Sequence, residues 1–412
     1  MRGYAIIIRK VPRLAATKPG RADPNRQIKA GTAIIAQPAG KRKRYHMKKI
    51  IVLLLAAVLC LGSLAGCAKP NENLGETRTV TDTWGRNVEI PKTVRSIVCL
   101  GSGAPRIAAY LGVMDMLVGA EDHDIKGVTV LRDYNVVYQE QLKDLPAVGA
   151  GGGSGANNGY AEQIIEAQPD VILAGFSQEA AEELQNQTGI PVVCVRYLSV
   201  NFVDESFYTA MRVFAEVVGA QKRCEEVLKF IDDCKKDLND RTKNIPDSEK
   251  LTAYTGAVTF SGRHGFAGTY ANFGPFIGVN ALNVADEVKD ANYFETDLEK
   301  IVQWDPDVIF LDPGNMDLVN DEYKTNPGYF NSLRAVQEGN VYTMPSFNNC
   351  GTNITYALMD AYYAGMVLYP EAFSDVDMAA IGKLVLETML GEDFFEEMEN
   401  GGLFYGKLTF GQ

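Results

Sequence analysis

Ala161-Glu-Gln-Ile-Ile-Glu-Ala-Gln-Pro-Asp-Val-Ile-Leu-Ala174 decides the fold, because its pattern returns later as Leu298-Glu-Lys-Ile-Val-Gln-Trp-Asp-Pro-Asp-Val-Ile-Phe-Leu311. In each copy the pattern predicts a short amphipathic helix, a proline that cannot continue it and an apolar strand. Such junctions also recur by chance in α/β proteins, so a single copy would indicate little. Two copies, one in each half of the chain, predict two similar α/β lobes.

The two copies match position by position. The matched pairs are Glu162 with Glu299, Ile164 with Ile301, Pro169 with Pro306, Asp170 with Asp307, and Val171-Ile172 with Val308-Ile309. We interpret the proline and the aspartate as architectural, because they stand where a strand starts towards the space between the lobes. The length of 412 residues agrees with two domains, since it exceeds a single typical core.

The first 46 residues form a basic segment, with twelve lysines and arginines against the single acid Asp23. The basic residues follow no regular spacing. We interpret segment 1–46 as upstream sequence read from too early a start, with Met47 as the initiator. A long disordered leader is the alternative.

A signal peptide is predicted next, over 47–67. Met47-Lys-Lys supplies a basic start, the apolar run 50–61 is too short for a comfortable membrane span, and Leu64-Ala-Gly-Cys67 provides small residues for cleavage. These last four residues resemble the lipobox of bacterial lipoproteins, which implies that Cys67 is lipidated and anchors the mature protein on the extracytoplasmic face of the membrane. A buried helix would explain neither the lysines nor the Ala-Gly-Cys.

The charge of the predicted mature chain excludes one class of partner. Removing the first 67 residues takes away 14 of the 40 basic residues and one of the 52 acidic ones, which leaves 26 against 51 and a formal charge of −25. Nucleic acid is therefore not an expected partner, because its phosphates demand the opposite sign. A soluble domain held at a membrane by lipid fits this charge. Stable attachment would need more than one acyl chain.

A family resemblance rests on motifs spread from residue 79 to residue 370. The motifs are Asp82-x-x-Gly85-Arg-x-Val88-x-Ile90-Pro, Arg95-Ser-Ile-Val, Leu111-Gly112, Leu117-Val-Gly119, the repeated Pro-Asp-Val-Ile elements and Gly278-Val-Asn-Ala-Leu-Asn-Val-Ala-Asp286. In this order they resemble the extracytoplasmic substrate-binding proteins of ABC importers for iron-siderophore, haem and corrinoid complexes. The resemblance implies an α/β protein of two similar lobes with mostly parallel sheets, joined by one long rigid α-helix, with the ligand cleft between them.

The chain divides accordingly. We predict a tether over 68–78, an N-terminal lobe over 79–220, a connecting helix over 221–245 and a C-terminal lobe over 246–412. The connecting segment shows apolar residues on one side and a dense charged face on the other, as an amphipathic helix requires. Such a stiff connector would limit closure to a small hinge motion. The tail from residue 376 is predicted to pack a helix on the body, at a place that the sequence does not give.

The loops at the carboxyl ends of the strands are expected to line the cleft, since that edge is where an open α/β sheet usually binds ligands. The residues nominated are Ser102, Arg106, Tyr160 with the glycine-rich loop before it, Phe176, Arg196 and Tyr197 from the first lobe, and Arg263, His264, Phe266, Tyr270, Asn315, Phe347 and Asn348 from the second. Arginines with aromatics suit a large, partly flat and often anionic metal chelate. A structural role explains any one of them equally well, and Arg263-His264 is the strongest pair.

The sequence indicates a binder and not an enzyme. The loose GxGxxA that begins at Gly151 lacks the preceding strand and the Gly-Lys-Ser/Thr that phosphate-binding loops need. After Cys67 the histidines are His123 and His264, far apart in sequence, and no GxSxG or HExxH motif occurs. We therefore predict no catalytic residue, no cofactor and no resident metal.

Two alternatives of other classes stay open. An enzyme on a similar two-lobe fold would need cysteines or histidines to converge on the cleft, for which Cys99, Cys194 and Cys350 are the candidates. A surface adhesin would bind no small molecule at all. Within the favoured class the expected ligand is a ferric siderophore-like complex, with a corrinoid, haem or a molybdate-type oxyanion as alternatives.

The resemblance also implies protein partners. In that family an exposed glutamate at the position of Glu162 and Glu299 docks each lobe against arginines of the paired permease subunits, which work with an ATPase. Presentation of one glutamate per lobe suits a two-fold partner, and charges at a rim mainly set orientation and association rate. Any surface helix carries glutamates, as Glu166 shows. The binding protein itself is expected to be a monomer.

Overall fold

The structure, a computed structural model, describes residues 75–152, 157, 159–197, 202–288 and 292–411. The predicted upstream segment, the signal peptide with Cys67 and most of the predicted tether lie outside the described residues. Within the described part of the chain, no helix is both long enough and apolar enough to cross a membrane.

The described chain opens with an antiparallel hairpin of β1 (Thr77–Thr81) and β2 (Asn87–Pro91). Trp84 and Gly85 lie in its turn, as the sequence predicts, and Gly85 adopts a φ of 78° that glycine tolerates. The tether prediction ran slightly too far, because Thr77 and Arg78 already pair with β2.

The first lobe is built on a parallel five-stranded sheet. Its strands are β3 (Ile97–Leu100), β4 (Leu117–Glu121), β5 (Ala147–Gly149), β6 (Val171–Ala174) and β7 (Val192–Cys194), in the spatial order β5-β4-β3-β6-β7. Its helices are α1 (Pro105–Leu111), α2 (Asp122–Ile125), α3 (Asp133–Leu142), α4 (Ala161–Ala167), α5 (Gln178–Thr188) and α6 (Glu205–Val218). Strands β3, β6 and β7 are buried along their whole length, as expected of a parallel sheet covered on both faces.

One long helix, α7 (Gln221–Thr242), leads from the first lobe to the second. Its buried side includes Val227, Leu228, Ile231 and Leu238, while lysine and aspartate side chains form ion pairs along its exposed face. The predicted connecting helix is confirmed, and it ends three residues before the predicted boundary at residue 245.

The second lobe repeats most of the strand order of the first, because β10-β8-β12-β13 corresponds to β4-β3-β6-β7. Its strands are β8 (Thr252–Gly256), β9 (Gly268–Tyr270), β10 (Leu282–Asn283), β11 (Tyr293–Glu295), β12 (Val308–Leu311), β13 (Val341–Thr343) and β14 (Gly406–Lys407). Five of them form a sheet in the order β10-β8-β12-β13-β14, in which β14 alone is antiparallel, and β9 pairs with β11 outside it. Its helices are α8 (Gly274–Gly278), α9 (Leu298–Trp304), α10 (Met316–Thr325), α11 (Pro327–Ser332), α12 (Arg334–Gln337), α13 (Ile354–Leu368), α14 (Met378–Leu390) and α15 (Phe395–Asn400).

The repeated stretch builds the same helix-to-strand junction in each lobe. Helices α4 and α9 both end at a non-glycine residue in the left-handed region, Gln168 with φ 50° and Asp305 with φ 43°. The buried proline follows in each copy, and then strand β6 or β12, which lies beside the first strand of its sheet. The prediction of two similar α/β lobes is confirmed.

The aspartate of each repeat fastens the neighbouring strand. Asp170 accepts hydrogen bonds from the backbone N–H of Arg95 at 2.7 Å and of Ser96 at 3.1 Å, just before β3. Asp307 accepts from the backbone N–H and the hydroxyl of Thr252, at 2.8 and 2.7 Å, at the start of β8. Equivalent aspartates thus anchor equivalent strands, which confirms their architectural role.

The C-terminal tail ties the two lobes together. Helix α14 packs against α13 of the second lobe, against α1 of the first and against α7. The Arg223 side chain of α7 donates to the carbonyl oxygen of Tyr110 in α1 and to that of Thr388 in α14. Strand β14 then adds to the edge of the second sheet, which covers β13. The packed helix predicted for this tail is present.

Candidate functional site

The lobes meet where loops from the carboxyl ends of β3 and β13 touch. Gly103, after β3, lies so close to the second lobe that a Cβ there would stand 2.0 Å from the carbonyl oxygen of Cys350. Cys350 and Gly351 form the tip of a tight turn, with φ values of 48° and 84°, closed by a bridge between Asn348 and Thr352. We name the segment 348–352 the interlobe turn.

Arg106 fastens the interlobe turn to the first lobe. Its side chain is fully buried, and Nε donates to Asp133 at 3.0 Å. Nη1 donates to the carbonyl oxygen of Cys350 at 2.9 Å, and Nη2 to the side chain of Asn353 at 2.7 Å. Because protein acceptors already occupy its donors, Arg106 holds the lobes together and the predicted ligand contact is corrected. The sequence could not show this, since Asn353 lies 247 residues away.

Asp133, the partner of Arg106, is shared by both lobes as well. It accepts hydrogen bonds from the hydroxyl of Tyr110 in α1 and from that of Thr355 in α13, the latter at 2.8 Å. A buried ion pair of this kind contributes little net stability, yet removing one partner typically costs about 3–5 kcal/mol. The junction near the hinge is therefore held by a satisfied polar network.

Five more predicted contacts turn inward and are corrected because their side chains are buried. The side chains of Phe176, Phe266, Tyr270, Asn315 and Phe347 are at most 1% exposed. Phe176 and Phe266 belong to separate apolar clusters, one under each sheet. Aromatic residues in loops after strands fill the core when the loop folds back, and the sequence does not show which way each one points.

The predicted first-lobe residues that keep some exposure are Ser102, Tyr160, Arg196 and Tyr197. The Tyr160 hydroxyl donates to Asp122 at 2.8 Å, and part of the glycine-rich loop before it lies outside the described residues. The Arg196 guanidinium lies over the ring of Trp84, 5.2 Å from its centroid. Trp84 is 40% exposed, and its indole N–H donates to the carbonyl oxygen of Phe176. This cation–aromatic pair forms a platform beside the ends of β6 and β7.

The predicted second-lobe pair Arg263 and His264 lies in one loop, but the two side chains have different partners. Arg263 is about half exposed, and its guanidinium donates to Asn315 at 2.9 Å and to Asp317. Asn315, although buried, therefore positions the exposed arginine. The rest of the guanidinium surface faces solvent.

His264 joins an aromatic cluster at the same edge. Its Nδ1 lies 2.8 Å from Glu295 and 2.6 Å from the Tyr293 hydroxyl, and Nε2 lies 2.8 Å from the carbonyl oxygen of Phe260. The rings of Phe260 and Tyr293 stack with centroids 5.0 Å apart. The sequence did not indicate Phe260 and Tyr293 as members of this site. Tyr293 reaches the loop only because β11 pairs with β9.

Tyr270 and Asn348 connect this cluster to the interlobe turn. Asn348 donates to the Tyr270 hydroxyl at 3.2 Å, and that hydroxyl lies 3.3 Å from the carbonyl oxygen of Thr259. Asn348 keeps partial exposure and remains a candidate contact. Hydrogen bonds thus join two pairs of the predicted second-lobe residues, Arg263 with Asn315 and Asn348 with Tyr270.

A set of titratable groups at the junction was not predicted. His123 in α2 places Nε2 3.2 Å from the thiol of Cys350, so the pair joins the lobes. Glu121, at the end of β4, is buried and accepts from the backbone N–H of Gly101 at 2.8 Å. Burial raises the pKa of Glu121 to about 8, although the Gly101 N–H opposes the shift. Burial, together with the positive charge of Arg132, lowers the pKa of His123.

The described cysteines Cys99, Cys194, Cys224, Cys234 and Cys350 are all free thiols, and all but Cys350 are buried. Among the described residues, no group of three or more His, Cys, Asp or Glu could hold a metal ion.

Glu162 and Glu299 occupy the first turns of α4 and α9, and both are exposed. Three positions later each helix carries a partly exposed apolar residue, Ile165 at 47% and Val302 at 46%. Residues three apart are neighbours on a helix surface. Each lobe therefore presents the same pair of an acidic and an apolar side chain.

Comparison with known proteins defines the class. The family model described as "Periplasmic binding protein" matches residues 97–347. The chain is 25% identical over 284 residues to an uncharacterized ABC transporter substrate-binding lipoprotein, YvrC of Bacillus subtilis. The aligned region covers 64% of this chain and 79% of YvrC. It is 23% identical over 319 residues to the Fe(3+)-citrate-binding protein YfmC of the same organism. That alignment covers 73% of this chain and 90% of YfmC.

A solved structure shows the same fold. A periplasmic solute binding protein from Veillonella parvula superposes with a TM-score of 0.62 at 18% identity, covering 80% of this chain and 97% of that one. The chain belongs to the periplasmic binding protein family and is an ABC transporter substrate-binding protein, as the sequence motifs indicate.

Proposed function

We propose that this protein is the lipid-anchored, extracytoplasmic solute-binding subunit of an ABC importer, and that it captures an iron complex of the ferric citrate or siderophore type for delivery to the permease. It performs no catalysis and needs no cofactor in this role. The observation that carries the choice of ligand is the chemistry at the meeting edge of the two sheets. Each lobe carries exposed cationic and aromatic side chains near the ends of its strands.

The first lobe contributes Arg196 stacked on the exposed ring of Trp84. The second contributes the open guanidinium surface of Arg263 beside the stacked rings of Phe260 and Tyr293. Arginines and aromatic faces together suit a large chelate that is anionic at its rim and flat over part of its surface. The relative YfmC, whose name assigns it Fe(3+)-citrate, supports the same ligand class.

Membrane attachment is proposed through Cys67. Support comes from the sequence Leu64-Ala-Gly-Cys67 after a basic and apolar leader, and from the lipoprotein named among the relatives. Lipid attachment at one terminus leaves the lobes free to move between ligand capture and docking. Membrane fractionation of a Cys67→Ser variant tests this part, and an unchanged membrane-bound share would contradict it.

Docking to the permease is proposed through Glu162 and Glu299. Their equivalent positions in the two lobes match the two-fold arrangement expected of a permease dimer. The neighbouring Ile165 and Val302 support an interface, because an apolar patch beside a charged rim is common where proteins associate. The binding protein is proposed to act as a monomer.

Isothermal titration of the purified protein tests the ligand class. Ferric citrate, ferric siderophores, haem, cobalamin and molybdate are titrated in turn, and an iron complex is expected to bind with a Kd below about 10 μM. Binding of haem, cobalamin or molybdate alone would move the ligand to one of those alternatives. If none of these compounds bound, solute binding as proposed would be wrong.

A further inference from the structure

Three side chains of the second lobe bring donor atoms of different kinds to one point. The Tyr293 hydroxyl oxygen lies 2.6 Å from His264 Nδ1 and 2.7 Å from Glu295 Oε1, and the latter two atoms are 2.8 Å apart. Ligand atoms that bind one metal ion at right angles, about 2.0–2.1 Å from it, lie about 2.8–3.0 Å from each other. The triangle is therefore close in size to one face of an octahedral coordination sphere.

Strand β11 and the loop before β9 hold this triangle in place. Tyr293 and Glu295 are two residues apart in β11, so their side chains leave the same face of the strand. Glu295 stands opposite Gly268 of β9. A Cβ on Gly268 would come within 2.5 Å of the His264 Cβ, so the glycine leaves the space that the histidine occupies.

The other nitrogen of the imidazole determines where the ring carries its hydrogen. His264 Nε2 lies 2.8 Å from the carbonyl oxygen of Phe260, which can only accept, so Nε2 is the donor. In the neutral ring the lone pair is then on Nδ1, the atom that belongs to the triangle. Metal-binding histidines commonly donate their other ring N–H to a backbone carbonyl in this way. The Phe260 ring also stacks on Tyr293, with centroids 5.0 Å apart, and orients the phenol.

Hydrogen bonds alone do not fill the triangle. With the imidazole neutral, its three atoms share only the phenolic hydrogen, so Nδ1 and Oε1 face each other at 2.8 Å as lone pairs. A cation among the three atoms would remove this conflict. A protonated imidazole is the competing explanation.

The charge and the exposure of the triangle also suit a metal ion. Among the described residues, Glu295 forms no ion pair with a lysine or an arginine, and its one ionic partner is His264. The Glu295 side chain is 55% exposed and that of His264 22%, which gives an ion a route from solvent. Burial, together with the hydrogen bond to Glu295, raises the pKa of Tyr293, so the phenol keeps its proton until a cation binds.

We propose that Tyr293, His264 and Glu295 bind a first-row transition metal ion directly, with ferric iron as the expected ion. Imidazole nitrogen suits iron, and two anionic oxygen atoms suit a hard cation. As the iron–oxygen bond forms, the phenolic proton leaves to solvent. All three ligands belong to the second lobe, so the site does not depend on the interlobe turn. It goes beyond the capture of a chelate, because the protein itself supplies the donor atoms.

Iron loading of the purified protein tests the site. The probe is ferric nitrilotriacetate, and the readouts are the iron bound per protein and the visible charge-transfer absorption that a phenolate–iron(III) bond produces. The wild type is expected to bind iron with this absorption, whereas a chelate held elsewhere on the protein would bind without it. Tyr293→Phe should abolish the absorption, and Glu295→Gln should weaken iron binding at least tenfold.

Two substitutions in the same lobe are matched controls. Tyr323→Phe removes a hydroxyl from a ring that stacks on Phe410, and Glu371→Gln removes an exposed carboxylate. Both should bind iron like the wild type. Tyr293→Phe keeps the ring that stacks on Phe260, so its circular dichroism spectrum should match that of the wild type.

An unchanged absorption in Tyr293→Phe would overturn the site, and so would iron binding by the wild type without such absorption. If the wild type took up no iron from this probe, the three side chains would form a hydrogen-bonded cluster and nothing more. Each of these results would leave solute binding standing, because the titration with ferric citrate and the other solutes tests that function separately.

Discussion

At the scale of single residues, burial decides chemistry that composition does not show. Glu121 follows an apolar strand and would read as an ordinary surface carboxylate in a chain with 52 acidic residues. In the structure it is 1% exposed, and its pKa rises from 4.5 to about 8 because it is removed from water. Glu121 lies against Gly151, because a Cβ added to Gly151 would stand 2.8 Å from the Cβ of Glu121. This packing explains the glycine better than a phosphate loop does.

Glu121 should make stability depend on pH. The folded state holds the Glu121 proton more tightly than the unfolded state, so this contribution is fully present below pH 4.5 and is lost as pH rises to about 8. Urea unfolding across that window should show the free energy of unfolding falling with pH, and Glu121→Gln should flatten the curve. Glu166→Gln, at an exposed position, is the control. Curves of identical slope for wild type and Glu121→Gln would contradict the assignment.

At the scale of elements, the duplicated helix-to-strand junction carries two separable roles. Asp170 and Asp307 point inward and fix β3 and β8 through backbone hydrogen bonds. Glu162 and Glu299 lie eight residues earlier in the same stretches and are exposed to solvent. The inward residues shape each lobe, while the outward ones remain available to a partner.

Reversal of both outward charges should separate docking from binding. Glu162→Lys with Glu299→Lys is expected to reduce uptake by at least tenfold in cells that carry the cognate permease, because two attractive contacts become repulsive. Ligand affinity should stay unchanged, since neither residue belongs to the junction of the lobes. Glu166→Lys reverses an exposed charge on the same helix α4 and should leave uptake intact. A loss of ligand affinity in the double variant would refute this division of roles.

At the scale of the whole molecule, the two lobes are locked at their hinge side by contacts distant in sequence. The C-terminal helix α14 touches both lobes, and the Arg106 network reaches from α1 to α13. The Arg106 network also holds the interlobe turn against the first lobe. Gly103 makes the closest contact there.

Gly103→Ala should open this contact. Its new Cβ would meet the carbonyl oxygen of Cys350 at 2.0 Å and Arg106 Nη1 at 2.4 Å. Gly112→Ala is a matched control, because Gly112 has the same φ of 67° but nothing within 4 Å of a Cβ. The control should lose about 1–2 kcal/mol of stability from backbone strain alone. Gly103→Ala should lose more and should lengthen the distance between spin labels in the two lobes, and an unchanged distance would disprove the role of this contact.

The sequence predicted much of the fold and part of the site. Periodicity and proline placement gave the helix-to-strand junction of each repeat and the first residue of α7, since these signals act over a few neighbours. Of the predicted cleft residues, Arg196 and Arg263 keep exposed side chains and stay candidate contacts. Arg106 was misassigned, because the partners of a buried charge come from distant segments.

What the sequence determined by itself is local and repetitive: two α/β lobes, the stiff helix between them and the exposed glutamate of each repeat. These follow from patterns that neighbouring residues carry. Only the tertiary structure decided that Arg106 has protein acceptors and that Nε and Nη1 of Arg132 have none among the described residues. The satisfaction of a buried charge depends on groups that the fold gathers from across the chain, such as Asn353 for Arg106. The side chains left available to a ligand are therefore decided by contacts between residues distant in sequence.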